Sequence, residues 1–145
     1  MKKSTNDAVI DTNIVFSALL RHQSNLRDVI LNTSLSFCAP NFIIAEIFSK
    51  KEKILKYSKL SETDFLICFN KIIENIRFIS IETIQIENRY KAYEFCKKID
   101  PNDTPFIALC LELEIPFWTG DKKLITGLKK LGFDNFFEID NKVKK

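Results

Sequence analysis

Histidine and glycine are nearly missing from this chain of 145 residues, and each shortage removes a class of chemistry. The one histidine, His22, sits in a polar, loop-like RHQSN, which leaves no basis for a catalytic triad or for a nuclease that uses histidine as its acid and base. The three glycines, Gly120, Gly127 and Gly132, cannot be written into GxGxxG or a P-loop, so the usual phosphate cradles are excluded. Cys38, Cys68, Cys96 and Cys110 contain no CxxC pair and lie among apolar residues, the setting of reduced core thiols rather than of zinc ligands or a disulfide frame. No apolar run approaches the roughly 18 residues of a membrane span. The leading MKKSTND enters a strand without the apolar core and cleavage site of a signal peptide. A cytoplasmic protein with no membrane partner is therefore expected. With 46% hydrophobic residues and no linker or low-complexity tract, residues 1–145 read as one domain with its own core.

What the chain does have is an alternation of short apolar strands and amphipathic helices. Ala8 to Ile10 read as a buried strand, and Ile14 to Leu20 as the start of a helix. Asn25 to Asn32 read as a second short helix, Ser34 to Ala39 as a strand, and Pro40 as the opening of a helix through PNFIIAEIFSK. Ser61 with Asp64 resembles a capping box before the helical spacing of Phe65, Phe69, Ile72 and Ile73. Arg77 to Ile81 follow as a strand, then a helix whose stripe of Ile86, Tyr90, Tyr93 and Cys96 is expected to face the core. After the corner Asp100 to Asp103, DTPFIALCLEL opens with a proline in its first turn, which costs a helix little there. Ile115 to Trp118 return as a strand, a helix from Leu124 stops at Gly132, and Phe136 to Ile139 supply a last strand. Such alternation predicts an α/β domain whose mostly parallel sheet is covered on both faces, with every strand's carboxyl end on one edge.

Four acids are carried to that edge. Asp11 follows the first strand and Asp121 a later one, where open α/β sheets place their sites. About eleven residues of helix after Asp103 rise roughly 17 Å, and five or six residues of strand return roughly as far, so Asp121 comes back to the level of Asp103. Glu46, alone in an apolar helix after the second strand, reaches the same edge. Singly, each has an ordinary use: Asp103 and Asp121 as helix caps, Asp11 as a turn former, Glu46 as an exposed residue. Gathered together, unpaired carboxylates repel one another and are costly among apolar neighbours. A hard divalent cation, Mg²⁺ or Mn²⁺, relieves both problems and works on phosphodiesters. A phosphatase of the haloacid-dehalogenase type would need a second aspartate where Asn13 stands. Basic clusters at Lys50 to Lys53, Lys122, Lys123, Lys129, Lys130 and the tail Lys142 to Lys145 are compatible with a polyanionic partner.

VIDTN with Asp11, Glu46 within PNFIIAEIF, DTPFIALCLEL from Asp103, and WTGDKKL with Asp121 together resemble a PIN domain, over essentially the whole chain. This is the fold of VapC-type toxin ribonucleases of toxin–antitoxin pairs and of several RNA-processing nucleases. The resemblance implies a three-layer α/β/α sandwich and a Mg²⁺- or Mn²⁺-dependent endoribonuclease. It also implies RNA as substrate, an antitoxin protein as partner for a toxin, and frequent homodimers. It makes Asp11, Glu46, Asp103 and Asp121 the catalytic, metal-holding quartet, with Asn13 and Thr119 as polar support. Asp100 offers a further acid beside Asp103, and the helix start that DTPFIALCLEL resembles favours Asp103. Lys122 and Lys123 are the candidate RNA contacts. The competing class is a non-catalytic nucleic-acid-binding or assembly protein that keeps the fold without cleaving.

Overall fold

The computed structural model describes residues 7–21 and 24–139. The leader MKKSTN, His22 and the lysines of the tail lie outside the described residues. Four parallel strands form one sheet in the order β3-β2-β1-β4, comprising β1 (Asp7–Ile10), β2 (Ser36–Pro40), β3 (Ile76–Ile79) and β4 (Phe117–Trp118). Ala8 pairs with Phe37, Ile10 with Trp118, and Ala39 with Phe78. Ala8, Val9 and Ile10 are all fully buried, as a central strand covered on both faces must be.

Helices cover both faces of this sheet, the α/β/α sandwich that the alternation foretold. In chain order they are α1 (Thr12–Leu19), α2 (Asn25–Ile30), α3 (Ile43–Ser49), α4 (Lys51–Ser58), α5 (Glu62–Glu74), α6 (Ile86–Cys96), α7 (Thr104–Leu113) and α8 (Lys122–Lys130). In one group α1 packs with α2, α3 and α5, and α5 packs against β3. In the other α6 packs on α7, which lies against β1 and β2. The α7 segment is so apolar that Phe106 to Cys110 are all buried. At its end Glu114 takes a left-handed conformation, φ 57°, and turns the chain back into the sheet. The Ser61 signal is met directly: its hydroxyl accepts the Asp64 N–H at 3.0 Å and caps α5.

Three expectations about helices are corrected. Pro40 does not open a helix; it is the buried last residue of β2, paired with Ile79, and α3 begins only at Ile43. Asn41 supplies the next ladder N–H, to Ile79 at 3.0 Å, so the proline's missing donor falls where none is needed. Glu46 consequently lies in the first turn of α3, and it is exposed rather than enclosed, because Ile43 and Ile47 take the buried side. Of the α6 stripe only Cys96 faces the core; the rest faces outward, Ile86 70%, Tyr90 69% and Tyr93 46% exposed. Ala92 and Cys96 turn inward instead, small residues that let α6 approach α7, while the phenol hydroxyls keep their water.

The returning strand and the last strand are both shorter than their apolar runs. Only Phe117 and Trp118 lie in β4, since Pro116 can accept from Val9 at 2.8 Å but has no N–H to extend the ladder. Phe136 makes a single bridge to Phe117. Two backbone bonds make that bridge, Phe117 N–H to Asn135 at 3.0 Å and Phe137 N–H to Phe117 at 2.9 Å, and rings add to it: Phe137 sits 5.3 Å from Trp118 and 5.7 Å from Phe37, centre to centre. All four cysteines are free, three buried and Cys68 half-buried.

Candidate active site

Asp11 leaves the carboxyl end of β1 and caps α1, its Oδ1 accepting the Asn13 N–H at 3.3 Å. Only 4% of the residue is exposed. The buried hydroxyl of Thr119, just past β4, donates to its other oxygen at 2.7 Å. That same hydroxyl oxygen accepts the Asp121 N–H at 3.1 Å, so one threonine ties the end of β1 to the loop that carries Asp121. Asp121 in turn caps α8 through the Leu124 N–H at 3.1 Å. Burial pushes the Asp11 carboxyl above its ordinary range; the bonds from Thr119 and Asn13 pull it part of the way back, and the charges of Asp121 and Glu46 push it up.

Asp103 has a different setting. The corner before α7 is a 3-10 turn, Pro101–Asp103, capped by Asp100, whose carboxylate accepts the Asn102 N–H at 3.0 Å. Asp100 thus shapes the turn. Asp103 stands at the start of α7 without capping it, and among the described residues no donor reaches its carboxylate. Half-buried, it is pushed up to about 7, first by burial and then by the charges of Asp11, Asp100 and Asp121. Glu46 completes the set from α3, where the Thr12 hydroxyl donates to its Oε1 at 3.1 Å. Thr12 was missed in the sequence, although its place directly after Asp11 at a helix start was the available signal. Asn13 is exposed, and its contribution is the backbone N–H to Asp11. Lys122 and Lys123 are exposed in the first turn of α8.

A family model described as a PIN domain matches residues 9–139. The chain belongs to the PIN domain family. PIN domains are in general nucleases that act on nucleic acid with divalent metals, and the matched span contains all four acids. No curated protein matches this PIN domain. Among its described residues no helix is long and apolar enough to cross a membrane.

The donor set suits a hard cation in kind, all carboxylate and hydroxyl oxygen. It is not drawn tight: among the described residues no three acidic, histidine or cysteine side chains stand close enough to grip one ion together. Mg²⁺ does not require that, because it keeps several waters and is commonly held by one or two carboxylates together with substrate phosphate. Asp103, which no donor among the described residues reaches and which is pressed by three carboxylates, has the most to gain from a cation among the four acids.

Proposed function

We propose that this PIN domain is a divalent-metal-dependent endoribonuclease hydrolysing RNA phosphodiester bonds. The observation that carries the reading is the gathering of acids from four separate segments at one edge, where the charges of Asp11, Asp100 and Asp121 bear on Asp103 and those of Asp121 and Glu46 bear on Asp11. Asp11 and Asp103 would hold Mg²⁺ or Mn²⁺, with Asp121 and Glu46 completing the charge around it. When bound, the ion supplies Lewis acidity, lowering the pKa of a water and stabilising charge on the phosphate. The protein's own groups do the rest. Thr119 fixes Asp11 in orientation, Thr12 holds Glu46, and the capped corner at Asp100 keeps Asp103 at the rim. Lys122 and Lys123 draw the RNA backbone towards acids that would otherwise repel it.

A second reading, a PIN fold that binds RNA without cutting, is favoured by the looseness of the acidic set. Purified protein incubated with structured and unstructured RNAs in Mg²⁺, in Mn²⁺ and in EDTA separates the two. Cleavage that needs metal and is lost in Asp11→Asn supports the nuclease. Cleavage surviving either change identifies a contaminant, and binding without cleavage in both metals supports the second reading.

A finer role as the toxin of a toxin–antitoxin pair rests on the resemblance to VapC-type ribonucleases. An antitoxin segment would present an arginine to the acidic edge, where a guanidinium can take the place of the cation. Recovery of the protein from its native cells without a small partner contradicts this role. The homodimer implied by the same resemblance is tested by sedimentation.

A further inference from the structure

The two segments that carry Asp103 and Asp121 also build a second feature. Lys98 and Ile99 run directly into the corner before Asp103, while Lys122, Lys123 and Lys130 belong to the helix that Asp121 caps. Between the segments lies an open cleft of about 470 Å³, lined by these residues and by the face of α8 at Gly127. Four lysines and no acid line it. Among the described residues none of the four is in an ion pair, whereas Lys51 is paired with Glu62 and Lys97 with Glu94.

The cleft is held by packing. Gly127 occupies the interior of α8, where glycine is normally destabilising relative to alanine. Its reason is Ile99: a Cβ at position 127 would lie 2.8 Å from Ile99 Cδ1. The missing side chain lets the helix close against that segment, and Leu124 and Leu128 on the adjoining side of α8 are buried in the core. The lysines of two distant segments are thereby fixed along one concavity, one residue in sequence from Asp121.

The geometry points to this cleft as a phosphate-binding subsite for single-stranded nucleic acid, seating backbone phosphates that flank the bond presented to the acidic edge. It rests on the nuclease reading for its substrate and extends it to Lys98 and Lys130. Lysines without acidic partners offer unneutralised charge to a polyanion, and an open concavity in place of an aromatic platform selects the backbone rather than particular bases. Site and cleft share α8, so phosphates seated in the cleft align the chain with Asp121.

The test measures anisotropy of a fluorescein-labelled single-stranded RNA in EDTA across a salt series, with cleavage in Mn²⁺ measured in parallel. Lys98→Ala with Lys130→Ala is expected to weaken binding about tenfold at low salt, and to make the salt slope shallower by about 1.4, near 0.7 for each lost contact. Arginine at both positions retains binding. Lys71→Ala with Lys91→Ala removes the same charge from α5 and α6 and leaves affinity within about twofold. Equal losses in both alanine pairs, or no loss at Lys98 and Lys130, would overturn the cleft while leaving any metal-dependent cleavage standing. Cleft-dependent binding with no cleavage in either metal would uphold the cleft and remove the nuclease reading.

Discussion

Asp11 and Asp103 stand at the same sheet edge, where the charge of Asp11 presses on Asp103, yet the chain treats them in opposite ways. Asp11 is buried and held at both oxygens, by a backbone N–H and by Thr119. Asp103 is half-buried, among the described residues no donor reaches its carboxylate, and the charges that press on it are those of Asp11, Asp100 and Asp121. Hydrogen bonds to a carboxylate favour its charged form, whereas burial and like charges oppose it. One acid is therefore fixed in place by its donors, and the other is left without that support. On the proposed reading both hold the cation, Asp11 in a set orientation and Asp103 poised to exchange its proton for it.

The largest expected effect comes from breaking the held member. Asp11→Asn should lower metal-dependent RNA cleavage by about two orders of magnitude or more, with RNA binding retained or improved because phosphate meets less negative charge. Gel-based cleavage beside anisotropy measures both. Thr119→Val sharpens the same contrast by leaving Asp11 only the Asn13 N–H. The loss of a buried hydrogen-bond partner should cost about 1 to 3 kcal/mol in urea unfolding and raise the Asp11 carboxyl further.

The poised member should show itself in pH dependence. Asp103 is held at about 7, above its ordinary 3.8, so the folded state keeps a proton that the unfolded chain releases. Its contribution to stability is full below about pH 4 and is lost as the pH rises through about 7 in metal-free buffer. Asp11, also raised, adds in the same direction. Thermal melts in EDTA between those limits should show stability falling with pH. Asp103→Asn should flatten that slope and melt no lower than the parent at pH 8; a large loss there would make Asp103 a structural residue.

The smallest effect concerns Asp121, which serves both as acid and as helix cap. Asp121→Asn and Asp121→Ala remove the same charge, but asparagine can still accept the Leu124 N–H. The alanine variant should be less stable by about 1 kcal/mol, while both reduce cleavage alike.

The contrast between the two aspartates also marks how far the sequence could be read. The frame was legible because local signals and burial agree: the apolar run Ala8 to Ile10 leading into Asp11, the Ser61 cap, and the apolar α7 beginning after Asp103 all leave direct traces in residue type. The common edge of the acids followed from alternation and parallel pairing. The return to Asp121 needed no long strand, because Ile115 to Gly120 bring the chain back with only two residues in the sheet. Failures came where two faces of one helix were both plausible. On α6 Ile86 and the tyrosines offered more apolar area than Ala92, yet close packing on α7 selected Ala92 and, of the expected stripe, only Cys96. Pro40 misled because a proline serves equally at a helix start and at the last position of a strand. The tie from Thr119 to Asp11 spans 108 positions, and no local pattern announces a contact of that range.

Direct titration with Mn²⁺, followed by calorimetry and by the loss of free-ion paramagnetic signal, asks whether the acidic edge holds a cation. The account predicts saturable binding by the wild type, proton release on binding near pH 7 as the ion displaces the proton on Asp103, and loss of binding in both Asp11→Asn and Asp103→Asn. Binding that is absent in the wild type, or unchanged when either aspartate is replaced, would contradict it.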